Sequence, residues 1–234
     1  MTHVKGLLIV NEGPDGTGKK TQTDLLCQHL THDGHAVCRF DFPAYGETPF
    51  ADLIQTLLRE KKDVWRELPW EDKALLFAQD RHTVFARYQT LLRIPVVTVC
   101  NRYVPSNQAH MAGYSDESWI WSERFDWIEQ QEYEVLGIPR PDIIFLHSWP
   151  QVESHAGLLA RGGGVLDVHE EDRLYLQRVA QCFVVLAERD PERWRFVPGA
   201  PQGILESPEN IHTRLWDELI RHPAWLAYVE RVPV

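Results

Sequence analysis

The sequence predicts a three-layer α/β/α domain built on a central parallel sheet. Three observations carry that expectation. Short apolar runs alternate with helical patterns of ten residues or more. The runs are continuously apolar rather than alternating, as strands covered on both faces are. The first run, "GLLIVNE" (6–12), opens into the glycine-rich turn "GPDGTGKK" and then a helix.

Each element follows in order. Residues 6–12 read as a buried strand, and the following helix sets Leu25, Leu26, His29 and Leu30 on one face. "HAVCRFDF" (35–42) is the second strand and Pro43 to Pro49 a loop. A helix covers 50–62, and a long one over 68–92 opens with Pro69, with Leu75, Leu76, Gln79, Thr83 and Ala86 at helical spacing. "IPVVTVCNRY" (94–103) is the clearest strand, a Trp- and Glu-rich helix covers 118–136, and "PDIIFLHS" (141–148) is the next strand. Helices at 150–160, 170–189 and 208–221 surround a short strand, "WRFVP" (194–198).

The 234 residues suggest one sizeable domain, long enough to bury a core without staples. A net charge of −10 argues against a general nucleic-acid binder, although a local basic pocket stays open. Cys27, Cys38, Cys100 and Cys182 form no C-x-x-C pair, so they read as reduced thiols and not as a disulfide framework or zinc site. No apolar run approaches the roughly 18 residues that span a bilayer. The N-terminal apolar stretch ends at Asn11 and Glu12 without a cleavage site, and is expected to be a strand and not a signal peptide.

Ligands of doubly wound sheets sit beyond the carboxyl ends of the strands. "GPDGTGKK", "FPAYG" and "NRYVPSN" each follow a strand directly, so they are expected to meet at one sheet edge. Residues 13–21 form a phosphate loop. Its glycines turn backbone N–H groups inward, Lys19 adds a charge for the β- and γ-phosphates, and the helix start points its positive end there. The position after Lys19 usually holds a hydroxyl for Mg²⁺, and here it is Lys20. Phe77 and Arg81 share a helix face and could stack on and hydrogen-bond a base, or be a core residue and a solvated charge. Arg102 could grip an anionic ligand or close a strand-end salt bridge, and Asn107 could touch a base edge. "LARGGGVLD" reads as a short lid, about 155–168, in which Arg161 could close over a transferring phosphoryl group, or as a plain surface loop.

Taken in order, "EGPDGTGKKTQ", "FPAYG", "LLFAQDR", "NRYVPSN", "GIPRPDIIFL" and "DVHEEDRLYLQRV" resemble the thymidylate kinases, and the resemblance spans nearly the whole chain. It implies a single kinase domain, 1–234, with a substrate region at about 42–110, using ATP and Mg²⁺ to phosphorylate dTMP. It implies an ATP site of Gly13, Gly16, Thr17, Gly18, Lys19, Lys20 and Thr21. On the substrate side it implies that Phe42, Pro43 and Tyr45 border the phosphate, Phe77 stacks on thymine, Arg81 reads O4, and Asn107 lies along the base edge. Asp15 would reach the sugar hydroxyl, Arg102 the dTMP phosphate, and His110 the position that senses a missing 2′-hydroxyl. Lys19, Lys20, Arg102 and Arg161 would be the catalytic cations, and Asp15 the metal ligand, with Asp167 and Glu170 acting through water. It also implies a cytoplasmic homodimer that binds neither nucleic acid nor membrane.

This chain departs from the family pattern in two places near the metal. Asn101 stands where an aspartate is usual, and Lys20 where a hydroxyl is. The lid has only one cation, and position 16 carries no basic residue, so Lys20 is read as a substitute cation. The alternatives are a kinase of another deoxynucleotide or deoxynucleoside, for which Glu12 is the nearest candidate base, or a catalytically impaired nucleotide-binding homologue.

Overall fold

The computed structural model describes residues 6–90, 93–148, 167–169 and 172–232. Five parallel strands run in the order β2-β3-β1-β4-β5: β1 Leu7–Glu12, β2 Val37–Asp41, β3 Val97–Asn101, β4 Ile143–Ser148 and β5 Trp194–Pro198. β1 lies in the middle, its six residues all buried. Its side chains alternate between two cores. Leu8 and Val10 face one with Phe40, Cys100 and Leu146, and Leu7 and Ile9 face the other with Leu26, Val97 and Phe145.

Nine α-helices are present among the described residues: α1 Lys19–His32, α2 Pro49–Arg59, α3 Lys62–Glu67, α4 Trp70–Arg87, α5 Val104–Gly113, α6 Ser118–Glu129, α7 Arg173–Arg189, α8 Pro208–Arg221 and α9 Pro223–Val229. The chain crosses from β1 outward to β2, returns to β3, then passes over β1 to β4. This reversal opens a crevice at the carboxyl end of β1, the place where such sheets bind ligands.

The structure differs from the sequence expectations in several elements. α5 was expected only as the loop "NRYVPSN"; Pro105 is at its start, where a missing N–H costs nothing. The helix expected over 50–62 ends at Arg59, and a separate α3 follows. The long helix over 68–92 runs from Trp70 to Arg87 and buries Lys73, Ala74, Ala78, Asp80, Arg81, Val84 and Phe85, whereas Leu75, Leu76, Gln79, Thr83 and Ala86, which carried its helical spacing, are half-buried or exposed. The buried face carries polar groups because it forms a wall of the site and supplies their partners. The helix over 118–136 changes after Glu129 into a π-helical turn, Gln130–Val135, where the Leu136 N–H donates to Gln131 O at 3.0 Å. Residues 150–160, Arg161 and Glu170, with most of the expected lid, lie outside the described residues.

Candidate active site

The phosphate loop joins β1 to α1. Gly13 takes φ +141°, and a Cβ there would come within 2.3 Å of the His147 carbonyl oxygen at the end of β4. Only glycine lets the loop pass this close. α1 begins at Lys19, and Gly18, in the left-handed conformation, supplies no side-chain cap. The first backbone N–H groups of α1 are therefore left to an anion. Lys19 is buried and donates to the Pro14 carbonyl at 2.7 Å, with Asp15 at 3.9 Å. Thr17 is buried and donates to the same carbonyl, whereas Thr21 is exposed.

Behind the loop, His147 is fully buried. Its Nε2–H donates to Asn11 Oδ1 at 2.8 Å, and Asn11 Nδ2 donates to Thr23 Oγ1 at 3.0 Å. Burial, with the nearby charge of Lys19, pushes His147 down from the usual 6.5 to about 3. It stays neutral and ties β4, β1 and α1 together behind the loop.

A cavity of about 110 Å³ opens beside the loop. All nine residues expected on the substrate side line it: Asp15, Phe42, Pro43, Tyr45, Phe77, Arg81, Arg102, Asn107 and His110. Asp167 joins them. Each arrives by a distinct device. Asp80 accepts from the Ala44 N–H at 3.0 Å and from the Thr48 hydroxyl, so α4 holds the "FPAYG" loop in place. Thr48 in turn caps α2 through the Ala51 N–H. Arg102 adopts φ +66°, the only non-glycine among the described residues with positive φ. That conformation costs on the order of 1–2 kcal/mol, and such strain gathers at functional sites. Arg102 pairs with Asp15 and donates to Ser106 Oγ at 3.2 Å.

Sequence reasoning missed the residue that orders Arg81 and Asn107. Glu132 lies in the π-helical turn and is fully buried. Arg81 donates to it twice, from Nε at 2.6 Å and Nη2 at 2.5 Å. Asn107 Nδ2 donates to the same carboxylate at 2.7 Å and to the Ala74 carbonyl at 3.0 Å. Both of those partners only accept, so the amide orientation is fixed by chemistry. Asn107 Oδ1 is left buried without a hydrogen bond. Arg81 and Asn107 line one cavity, Arg81 with Nη1 left over from its two bonds to Glu132 and Asn107 with an unpaired Oδ1.

Glu12 was the candidate base for a nucleoside hydroxyl. It accepts from the Tyr103 N–H at 2.7 Å, the Ser106 N–H at 3.1 Å and the Ser106 hydroxyl at 2.6 Å. Its carboxylate holds the N-terminus of α5 and is committed there. His110 is buried, its Nδ1 2.7 Å from the Tyr175 hydroxyl, and burial with the neighbouring His169 holds it well below the usual histidine range.

The departures from the family pattern have clear surroundings. Lys20 is exposed and pairs with Asp24 Oδ2 at 3.0 Å, on a surface hollow shared with Arg39 and Asp41. Asn101 Nδ2 donates to Asp41 Oδ1 at 2.8 Å, which leaves Asn101 Oδ1 buried and unpaired. Asp41 is a carboxylate that sequence reasoning did not place here; the parallel register sets it opposite Asn101.

The sequence model described as "Thymidylate kinase" matches residues 11–211. This chain belongs to the thymidylate kinase family. It is 30% identical to the thymidylate kinase of Mycobacterium tuberculosis (strain H37Rv) over 214 residues, 87% of this chain and 99% of that one. It is 31% identical to a probable thymidylate kinase of Pyrococcus horikoshii, over 94% of this chain and 98% of that one. In fold it is similar to a thymidylate kinase of Candida albicans, with a TM-score of 0.74 and 22% identity over 94% of both chains. The family accounts for the order of the motifs.

Proposed function

We propose that this chain transfers the γ-phosphoryl group of ATP to dTMP, giving dTDP. One observation supports the choice of base most directly: Arg81, with Nε and Nη2 committed to Glu132 and Nη1 left to donate, lines the same cavity as Asn107, whose Oδ1 is an orphan acceptor. Thymine presents an O4 acceptor beside an N3–H donor and matches this pair. Cytosine presents an amino donor beside a bare N3 and inverts it, leaving buried groups unpaired. Guanine shows the matching pair on two rings, so dGMP is the control that separates ring size from hydrogen-bond pattern.

In this reading Phe77 stacks on the base. Arg102 holds the acceptor phosphate, with Tyr45, Phe42 and Pro43 beside it. Asp15 meets the sugar, and His110 lies where a 2′-hydroxyl would project. Lys19 and the loop amides of Gly13, Gly16, Thr17 and Gly18 hold the donor phosphates, with Thr21 at the outer edge. Lys20 and Arg161 add charge as the phosphoryl group moves. Transfer is then a matter of alignment and neutralisation, with no general base required of the protein. The commitment of Glu12 to α5 counts against a nucleoside substrate.

Among the described residues no three His, Cys, Asp or Glu side chains converge as a metal cage. That fits Mg²⁺, which keeps its waters and is held largely by substrate phosphates. Asp15 and the unpaired Asn101 Oδ1 are the oxygens suited to it, with Asp167 and Glu170 acting through water. When bound, the ion supplies neutralisation of phosphate charge. No described helix is long and apolar enough to cross a membrane. A cytoplasmic homodimer that engages no nucleic acid completes the proposal, with 1–234 as one catalytic unit.

The test is ADP release with a panel of dTMP, dUMP, dCMP and dGMP. The order expected is dTMP first, then dUMP, weaker by about fivefold for the lost methyl contact. dCMP should fall on the order of 10² or more below dTMP. Equal turnover of dCMP or dGMP would overturn the base assignment, and no ADP release with any substrate would mark an impaired homologue.

A further inference from the structure

Beside the pyrimidine pocket, behind Trp65 and His169, lies a second and larger cavity of about 730 Å³. His169 lines both cavities. Among the described residues four cations line the second one, Arg66, Lys73, Arg173 and Arg178, against one carboxylate, Asp172. In a chain of net charge −10 this is a local reversal of sign. The Asp172 carboxylate is turned to the start of α7, where it accepts from the Tyr175 N–H at 3.0 Å. The positive end of this 17-residue helix faces the same space.

Lys73 is the informative group. It is 5% exposed and borders the cavity. Among the described residues it has no carboxylate partner. Its ammonium lies over the Tyr114 ring at 4.4 Å and within 5.5 Å of the Trp65 ring. Ring faces compensate a buried charge only partly. Burial, with the charge of Arg124, accordingly holds Lys73 below the usual lysine range. Arg178 spends its Nε on the Gly113 carbonyl at 2.7 Å and likewise has no carboxylate partner among the described residues. A buried lysine and a half-buried arginine without carboxylate partners among the described residues, both bordering a cavity within the size range of ligand sites, are suited to an anion.

We propose that this cavity is a second ligand site, separate from the pyrimidine pocket, that binds a small phosphorylated molecule through Lys73 and Arg178. The phosphate would supply the counter-charge that the protein does not. Arg66 and Arg173 stand nearer the solvent side, where Leu174 is 66% exposed, and guide the anion in.

Pyridoxal 5′-phosphate is the probe. Its phosphate would dock beside Arg178 and present its aldehyde to Lys73. The neutral amine attacks the aldehyde carbon, water leaves and an imine forms. Borohydride then delivers hydride to the imine carbon, and a solvent proton completes a stable secondary amine. The whole protein is treated with ADP and dTMP saturating, so that the phosphate loop is filled, and labelled lysines are mapped by peptide mass spectrometry. Labelling of Lys73 is expected to be about tenfold faster with pyridoxal 5′-phosphate than with pyridoxal, which lacks the phosphate. Arg178→Gln is expected to erase most of that difference. Protection by inorganic pyrophosphate would assign a bare polyphosphate as occupant, and stronger protection by a nucleoside triphosphate would assign a nucleotide. Equal rates for the two aldehydes, or labelling of Lys73 no greater than that of exposed Lys61, would overturn the proposal. The wild-type comparison stands even if the Arg178 variant fails to fold.

Discussion

Replacing Glu132 with glutamine tests the base pocket most directly. The side chains of Arg81 and Glu132 are 3% and 1% exposed, and two charge-assisted hydrogen bonds join them. Glutamine keeps the shape but removes the charge. Arg81 then carries an uncompensated buried charge, and the side-chain amide must put an N–H toward groups that already donate. Breaking a buried pair in this way costs about 3–5 kcal/mol. For a chain of this size each kcal/mol lowers Tm by about 2–4 °C, so a fall of about 6–20 °C is expected. Arg81 and Asn107 also lose the group that aligns them, and kcat/KM for dTMP should fall about 10- to 100-fold, mostly through KM. The double variant Arg81→Met/Glu132→Leu removes both charges. It should recover much of the stability, because well-packed apolar pairs replace buried ion pairs at little cost, yet it should not recover dTMP use. Thermal melts and steady-state kinetics on the three proteins decide the matter. A Glu132→Gln protein that melts within about 2 °C of the parent with unchanged KM would refute the role assigned to this carboxylate.

Three further outcomes are expected. His147 and His169 both sit at about 3 when folded against 6.5 in the free side chain, chiefly through burial, so the unfolded chain binds more protons between those values. Stability is full above pH 6.5, declines as pH falls toward 3, and by pH 5 has lost about 4 kcal/mol from the two together, which melts at pH 7.5 and 5 would register and His147→Asn would reduce. Gly13→Ala must push a methyl against the His147 carbonyl, so ATP binding by calorimetry should fall by at least tenfold, and unchanged affinity would show that the loop gives way. Lys20→Thr restores a hydroxyl but removes the proposed cation; kcat should drop by about tenfold at saturating Mg²⁺, and a variant as fast as the parent would show that Lys20 is merely tolerated.

What the sequence made legible is what local pattern dictates. The five strands were visible because a strand covered on both faces is a run of apolar residues, and the phosphate loop because its spacing is a chain-local property. Phe77 and Arg81 could be paired by helical spacing, but spacing could not say that Arg81 is buried, since that depends on a carboxylate 51 positions away. Glu132 gave no signal of its own: it sits in a stretch rich in Glu and Gln, and only the switch from α- to π-helical bonding at Gln130 turns it inward. Asp41 was invisible for a different reason. Its nearness to Asn101 is a matter of register between two parallel strands, which long crossovers set and no short window contains. Lys20 lies between these cases. Its place in the loop is local, but its present partner, Asp24, is one helical turn away and on the exposed face. An exposed pair of this kind holds its lysine by no more than about 1 kcal/mol. A polyanionic triphosphate at the start of α1 would compete easily with that. The pair with Asp24 is therefore compatible with the proposed lysine that serves the phosphoryl group when ATP is bound, and in the same proposal the unpaired Asn101 Oδ1 would offer the metal an oxygen where a charge has been lost.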